Sequence, residues 1–261
     1  MSTRAAVASA VIAAVSAVAS TVSAVYGVDA SRDLGNAQRR DAAQAAISQY
    51  VVQMSELDRT GGSSRRNEIV TLATQVDSLI AQYGQSELHL SASTYRLTGL
   101  FLTLSTTDLE LAEHMARESL KLSARMEPDG AGGSRMADPL EALQAHRVIA
   151  DVAAQNLDFT KMNREYETAL EITGSEGKRN RYIRTEARQF TRVYWALSAM
   201  MLVDDLGKPS AAQCDEVRRR ADAARADFEA LGKNPEIVRR ANRIESNKCS
   251  TWIDLSALQK Y

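Results

Sequence analysis

Residues 5–28 form a run of 24 positions without a charged side chain, and this run constrains the chain more than any other feature. Nine Ala, seven Val and four Ser make up most of it. As an α-helix it would be about 36 Å long at roughly 1.5 Å per residue, longer than a hydrocarbon core of about 30 Å. Because it contains no Leu and no Phe, its hydrophobicity is only marginal for insertion. We predict a single transmembrane helix within residues 1–28.

The Val residues of this run lie on one face. They step by four and three positions, as in a heptad seam, and small residues at four-residue spacing lie beside them. Small residues let membrane helices approach closely, so we expect the segment to self-associate and the protein to be a homo-oligomer. The predicted packing residues are Ala6, Ala10, Ala14, Val11, Val15, Val18 and Val22.

Three other interpretations of residues 1–28 stay open. Arg4, the apolar stretch and Ala17-Val18-Ala19 meet the minimal requirements of a cleaved signal peptide. An Ala-rich soluble helix in a coiled coil is the second interpretation. The third and weakest is a helix with Ser on one face and Val on another that lines a pore, which would make the chain a membrane-active effector.

Two features bear on the side of the membrane. Arg32, Arg39 and Arg40 follow the run, whereas Arg4 alone precedes it, and this excess favours a cytoplasmic C-terminal part. A periplasmic or extracellular placement stays open. The two cysteines bear on the same question, because a disulfide between them would favour a compartment outside the cytoplasm.

Cys214 and Cys249 flank a predicted helical hairpin that turns near Lys233, at nearly equal distances from the turn. A disulfide between them is therefore sterically feasible. It would indicate an oxidising compartment. Two reduced, packed thiols are the alternative.

The remainder of the chain predicts an all-α fold. Only four Pro and 5% aromatic residues are present, and no segment alternates as a strand does. We predict a connecting helix and loop over residues 29–66 and a helical-hairpin domain over residues 67–261. Its helices are predicted at Asn67–Tyr83, Leu88–Ser105, Leu109–Met126, Pro139–Gln155, Phe159–Thr173, Arg181–Asp204, Ala211–Leu231, Pro235–Lys248 and Trp252–Leu258, with loops over Glu127–Ala137 and Gly174–Asn180.

Small residues recur where paired helices of these hairpins would cross. They and the accompanying Tyr and Pro are Gly99, Ala112 and Ser119, then Ala150, Tyr166 and Ala169, then Ala223, Ala230 and Pro235. Over residues 67–248 the pattern resembles a degenerate tetratricopeptide-repeat array. Two features depart from that family: Ser119 and Ala169 are 50 residues apart against a period of about 34, and Met162 replaces a small residue.

The resemblance implies stacked helical hairpins that bind another protein. An anchor followed by such repeats is similar in layout to bacterial membrane-tethered repeat proteins. An irregular helical bundle is the alternative architecture.

A basic ridge is the candidate partner-binding surface. Residues 178–261 carry a net charge of +6 and residues 1–177 carry −7. Four arginines step by three, four and four positions along one predicted helix, and guanidinium forks suit carboxylate or phosphate partners. They are Arg181, Arg184, Arg188 and Arg192. The favoured alternative is that this ridge packs beside Glu165, Glu167 and Glu171 of the preceding helix.

No motif predicts catalysis. The sequence has no His-Glu-x-x-His, no phosphate-binding Gly-rich loop before a helix and no Gly-x-Ser-x-Gly elbow. None of His89, His114 and His146 has a second His at ligand spacing, so we predict no metal and no cofactor. Sparse aromatic residues near the basic clusters argue against nucleic acid as a partner.

The expected function is therefore that of a non-enzymatic, membrane-tethered scaffold or adaptor that binds an unidentified protein through its repeat-like surface. A secreted or periplasmic helical binding protein with a removed signal peptide is the alternative.

Overall fold

The structure is a computed structural model that describes residues 35–57, 66–129, 133–231, 244–246, 248–249 and 251–253. Over these residues the fold is mainly helical, as the sequence predicts, with two short antiparallel hairpins of strands. The predicted transmembrane helix and its packing face fall on residues 1–28, outside the described residues. Among the described helices, none combines the length and the apolar character that crossing a bilayer requires.

The helices keep most of their predicted positions. They are α1 (35–57), α2 (Arg66–Tyr83), α3 (Gln85–Leu88), α4 (Ala92–Leu104), α5 (Leu109–Ser123), α6 (Pro139–Gln155), α7 (Phe159–Glu176), α8 (Arg188–Asp205) and α9 (Ala211–Leu231). A π-helical turn, Ile183–Ala187, precedes α8. The strands are β1 (Met126–Pro128), β2 (Ser134–Met136), β3 (Ile244–Ser246) and β4 (Thr251–Ile253).

Polar side chains determine where four of these helices begin. Each accepts a hydrogen bond from the backbone N–H three residues later, which satisfies one of the free donors of the first helical turn. These capping residues are Ser91, Asp108, Asp138 and Asp158. Pro139 occupies the first turn of α6, where its missing N–H is not needed. The predicted starts of α5 and α6 are thereby confirmed.

The predicted helix Leu88–Ser105 is interrupted near its start. The backbone of His89 turns into the left-handed region at a φ of 46°, and α4 restarts after the cap at Ser91. The prediction of a loop over residues 174–180 is also wrong at its start, because α7 continues to Glu176.

Two predictions of non-strand structure are wrong. The predicted loop Glu127–Ala137 contains the β1–β2 hairpin, in which Met126 is opposite Met136 and Asp129 accepts the Gly133 N–H at 2.8 Å. The predicted helices Pro235–Lys248 and Trp252–Leu258 are replaced, in their described residues, by β3 and β4.

The β3–β4 hairpin has a local explanation in the sequence. Ile244 is opposite Ile253, and β-branched residues favour strands over helices. The connection of four residues between the strands has a length that hairpins commonly use. A three-residue strand is too short to show the alternation on which a prediction from the sequence depends.

The described residues divide into two compact units. The first holds 35–49 and 76–89; there Ile47, Val76 and Leu88 are buried, and Arg40 pairs with Glu87 at 3.4 Å. The second holds the other described residues, with a core that includes buried Met162, Tyr166 and Trp195.

Helices α4 to α9 of the second unit pack as three successive pairs. Helix α4 packs on α5, α6 on α7, and α8 on α9. The first helices of the pairs also contact one another, α4 with α6 and α6 with α8, while α5 contacts α6 and α7 contacts α8. The first helices end at Leu104, Gln155 and Asp205, at intervals of 51 and 50 residues. The C-terminal ends of α4, α6 and α8 therefore recur along the chain at a nearly constant interval.

The α4–α5 crossing is close because position 99 has no side chain. A Cβ at Gly99 would lie 2.8 Å from the carbonyl oxygen of Ala112 and 3.4 Å from the backbone nitrogen of Ala116. The nearer contact is with backbone, so a rotamer change cannot relieve it. A side chain at position 99 must separate the two helices.

We expect Gly99→Ala to lower the free energy of unfolding by about 1–3 kcal/mol, because the added methyl group overpacks this crossing. Urea denaturation of the purified full chain measures it. The control is Gly174→Ala: Gly174 is an exposed helical glycine at which an added Cβ would meet no atom within 4 Å. Removing backbone freedom there should raise stability by about 0.5–1 kcal/mol. Equal effects of the two substitutions would contradict the close crossing.

Candidate binding groove

Two adjacent cavities form one groove along α4, α6 and α8. One has a volume of about 310 Å³ and its lining includes Arg96 and Arg147. The other has a volume of about 200 Å³. Leu104, Asp151 and Tyr194 line both, so the two cavities adjoin, and we refer to them together as the groove. The groove lies wholly within the second unit.

Large apolar side chains are exposed along this groove. Leu104 and Met201 have 51% and 54% of their surface exposed in the 200 Å³ cavity, and Tyr182 has 44% exposed in the 310 Å³ cavity. Single exposed apolar residues are ordinary, but several that converge on one concavity indicate a binding surface. Met adapts its shape to varied partners.

One face of α6 supplies the floor of the groove. Gln144, Arg147, Asp151 and Gln155 step by three, four and four positions, which places them on one side of the helix. The opposite side carries buried small residues such as Ala142, Ala145 and Ala153. The amphipathic pattern of α6 therefore directs its polar residues into the groove.

Polar contacts fix α6 against α4 at two levels. Arg96 on α4 donates from Nε and a terminal nitrogen to Glu141 on α6, at 2.6 and 3.3 Å. Near the other end, Gln155 Nε2 donates to the carbonyl oxygen of Thr103 at 2.9 Å. A bidentate Arg–carboxylate pair is geometrically specific. The spacing between α4 and α6 is thus held at both levels of the groove.

Asp151 joins α6 to the next two helices. Its Oδ1 accepts hydrogen bonds from Tyr166 Oη on α7 and, at 2.6 Å, from Ser198 Oγ on α8. Tyr166 Oη and Ser198 Oγ are themselves 3.0 Å apart. The carboxyl group therefore connects three helices at the wall of the groove.

Burial shapes the titration of this cluster. Burial raises the pKa of Asp151, against the opposing effects of the bonds from Ser198 and Tyr166 and of the nearby Arg147 charge. Burial and the Asp151 carboxyl group raise the pKa of Tyr166 well above its usual value. A carboxyl group whose ionisation the fold disfavours, placed in a cleft, is a candidate functional group.

The Arg147 side chain occupies the other half of the groove. Its guanidinium carbon lies 4.2 Å from the centre of the Tyr194 ring. Its Nε has no hydrogen-bond partner among the described residues. Stacking on a ring holds the guanidinium group in position while leaving that donor unused.

The predicted arginine ridge is divided in the structure. Arg181 and Arg184 are exposed, whereas Arg188 and Arg192 donate to Asp227 on α9, at 2.9 and 3.3 Å. The π-helical turn Ile183–Ala187 lies inside the ridge. Because a π turn alters the α-helical repeat, residues on its two sides do not keep the common face that their spacing predicts.

The alternative placed the ridge beside Glu165, Glu167 and Glu171 of α7. Helix α8 does pack on α7, but the ion pairs of Arg188 and Arg192 are with Asp227 on α9. On α7, Glu165 contacts His146 at 2.8 Å and Arg164 at 3.1 Å. Glu167 contacts Arg220 at 3.5 Å. Glu171 lines a cavity of about 410 Å³ together with Arg188 and Arg192.

The cysteines are joined. Cys214 on α9 and Cys249 form a disulfide with a Cα–Cα distance of 5.3 Å. Cys249 lies in the turn between β3 and β4, not just after a helix as its sequence neighbours predicted. The hairpin packs through β3 on α8 and through β4 on α9, so the disulfide ties it to the last helix pair.

The residues that line the groove, Leu104, Asp151, Tyr194 and Met201 among them, were not predicted from the sequence as site residues. Only the polar spacing along α6 could have suggested Asp151, because the other walls come from distant parts of the chain. No group of His, Cys, Asp and Glu side chains within the described residues is arranged to hold a metal ion.

Comparison with known proteins adds no assignment: no family model, no curated protein and no solved structure matches the chain.

The raised pKa of Asp151 gives a prediction with a definite sign. Its contribution to stability is full below the unfolded value of about 3.9 and is lost as the pH rises through the folded pKa. Asp151→Asn keeps an acceptor oxygen for Tyr166 and Ser198 but cannot ionise. We expect its free energy of unfolding to exceed that of the wild type at pH 7, with the difference closing towards pH 4.

Asp151→Ala is the matched comparison. It removes the acceptor shared by two buried hydroxyl groups and should lower the free energy of unfolding by about 1–3 kcal/mol. Urea denaturation of both variants at pH 4 and pH 7 measures the effects. If Asn were as destabilising as Ala at pH 7, the described role of Asp151 would be wrong.

Proposed function

We propose that the chain is a non-enzymatic scaffold or adaptor that binds a segment of another protein in the groove between α4, α6 and α8. The observation that carries this proposal is the groove of two adjoining cavities, with exposed Leu104, Met201 and Tyr182 around the partly buried Asp151. Protein-binding surfaces combine an apolar centre with a few placed polar groups. The cross-helix bonds at Glu141 and Gln155 keep the groove preformed, which reduces the entropic cost of binding.

We further propose a tetratricopeptide-like architecture for α4 to α9. Its support is the packing order, in which the first helices of successive pairs contact one another and line the groove. The close crossing at Gly99 adds to that support. The repeat of 50 to 51 residues exceeds the family period of about 34 because residues 124–138 add a connection with the β1–β2 hairpin, and because α6, α7 and α8 contain 17 to 18 residues each.

In this proposal the uncharged run of residues 5–28 attaches the protein to a membrane, and its Val and small-residue face makes it a homo-oligomer. The alternative, a secreted or periplasmic binding protein, gains support from the Cys214–Cys249 disulfide, because such bonds persist in oxidising compartments. We therefore favour a periplasmic or extracellular placement of the helical part over the cytoplasmic one that the flanking arginines suggest.

Substitutions at the rim of the groove test the binding proposal. We expect Leu104→Lys and Met201→Lys each to weaken partner binding at least tenfold, because they place a charge on the apolar centre. Both side chains are about half exposed, so the fold should survive, which circular dichroism checks. The control is Met126→Lys, an equally exposed site on β1 away from the groove. Chemical cross-linking in intact membranes gives the readout, and undiminished cross-linking of both groove variants would refute the proposal.

Labelling in whole cells tests the placement. A membrane-impermeant maleimide should label Cys214 and Cys249 only after reduction by an impermeant phosphine, because the disulfide lies outside the cytoplasm in this proposal. The double variant Cys214→Ser, Cys249→Ser is the control. Labelling only after cell lysis would indicate that the helical part lies in the cytoplasm and would contradict the proposed placement. Mass spectrometry of the mature N-terminus in the same samples separates a retained anchor from a cleaved signal peptide.

A further inference from the structure

The 200 Å³ half of the groove has charges of one sign. Among the residues that line it, the charged ones are Asp151 and Asp205. The basic residues of the groove, Arg96 and Arg147, line the other half. Most of the remaining wall is apolar and includes Leu104, Leu197 and Met201. We call this half the acidic half.

Three helices end in the acidic half. The last residues of α4, α6 and α8 are Leu104, Gln155 and Asp205, and all three line it. The carbonyl end of an α-helix carries a partial negative charge equivalent to roughly half an electron. The effect is confined to the last turn, where these residues lie. Several of the last carbonyl groups already accept hydrogen bonds, such as those of Thr103 from Thr106 and of Ala154 from Leu157, so the Asp151 and Asp205 side chains are the principal attraction for a cation.

We propose that the acidic half holds a basic side chain, Lys or Arg, of the protein segment that binds in the groove. This assignment rests on the proposed function and specifies the partner's chemistry. The aliphatic stem lies along Leu104, Leu197 and Met201, and the charged head reaches Asp151 and Asp205. Lys and Arg side chains commonly bury their stems against apolar surface while their heads meet charged groups.

The apolar wall selects among cations. A small hydrated metal ion requires about six oxygen ligands, and apolar side chains supply none. An ammonium or guanidinium group on a carbon chain uses the apolar wall and the carboxylates together. The partly buried position of Asp151 shields its charge from water, which strengthens its attraction to a bound cation. The ion pair between the partner's basic head and the Asp151 and Asp205 side chains thus provides specificity, and the apolar contacts provide affinity.

The test uses three six-carbon probes that differ in charge: hexylammonium, 1-hexanol and hexanoate. Each is titrated into the full-length protein carrying ¹³C-methyl Met, and the Met201 resonance, assigned by its loss in Met201→Leu, reports occupancy. We expect hexylammonium to shift this resonance saturably and to bind at least tenfold more tightly than hexanol, with no saturable shift from hexanoate. Added NaCl should weaken the hexylammonium binding.

The double variant Asp151→Asn, Asp205→Asn should bind hexylammonium at least tenfold more weakly than the wild type. Asp205→Asn alone, at an exposed site, keeps the test interpretable if the other substitution perturbs the fold. The matched control is Asp222→Asn, an exposed α9 residue that pairs with Arg225 outside the groove and should leave binding unchanged. Equal binding of hexanol and hexylammonium, or full binding by the folded double variant, would overturn the proposal.

Two outcomes separate this inference from the proposed function. If hexylammonium fails to bind while Leu104→Lys still weakens cross-linking to the partner, the groove binds protein but the inferred basic side chain is wrong. If hexylammonium binds in the acidic half while the groove variants keep their partner, the site takes free amines, and the assignment to a protein segment is overturned.

Discussion

The hydrogen bonds of Asp151 connect the helices on which the groove depends. Asp151 on α6 accepts from Tyr166 on α7 and from Ser198 on α8. The Tyr166 ring stacks on Trp195 of α8 with centres 5.6 Å apart, and the Arg220 guanidinium carbon on α9 lies 3.5 Å from the Trp195 ring centre. A continuous set of polar and aromatic contacts thus runs from the groove wall to the last helix pair. Because these contacts specify distances and orientations, they determine how α6 and α8 face each other more narrowly than apolar packing alone does.

The burial of the Asp151 carboxyl group also distinguishes side chains that stabilise the fold from side chains that serve binding. A neutral acceptor such as Asn at position 151 would keep the hydrogen bonds from Tyr166 and Ser198 without burying an ionisable group. A carboxyl group whose pKa is raised by burial therefore opposes folding when it ionises. The arginines of the predicted ridge contrast with it. Arg188 and Arg192 already have a carboxylate partner in Asp227, so their charges are satisfied within the fold.

Local signals made most helices predictable, because a capping side chain and a three-four apolar rhythm depend on residues within one or two turns. Asp108 and Asp138 marked their helix starts for this reason. The β3–β4 hairpin was missed because three-residue strands depend on each other and on α8 and α9 for their stability. The ridge was predicted as one face because its spacing assumed an uninterrupted α-helix, and the π-helical turn Ile183–Ala187 breaks that assumption.

The groove itself could not be predicted, since Leu104, Asp151 and Met201 are roughly fifty residues apart in sequence and meet only once three helix pairs have packed. The interval of 50 residues between Ser119 and Ala169 was the signal available. Because the tetratricopeptide family has a shorter period, this interval was interpreted as a departure from the family. The ends of α4, α6 and α8 nevertheless recur at nearly the same interval. Had the repeat length been taken from this chain, the wall residues of α4, α6 and α8 would have fallen at equivalent positions of the repeat.

The central claim is that Asp151 is a carboxyl group whose ionisation burial disfavours at the wall of a binding groove, and its own titration tests this most directly. The side-chain carboxyl carbon of Asp151, followed by ¹³C NMR against pH in the full chain and assigned by its loss in Asp151→Asn, gives its pKa. We predict a pKa above the ordinary Asp value of about 3.9, lowered when a cation occupies the groove. A pKa at or below the ordinary value, unaffected by occupancy, would contradict the account.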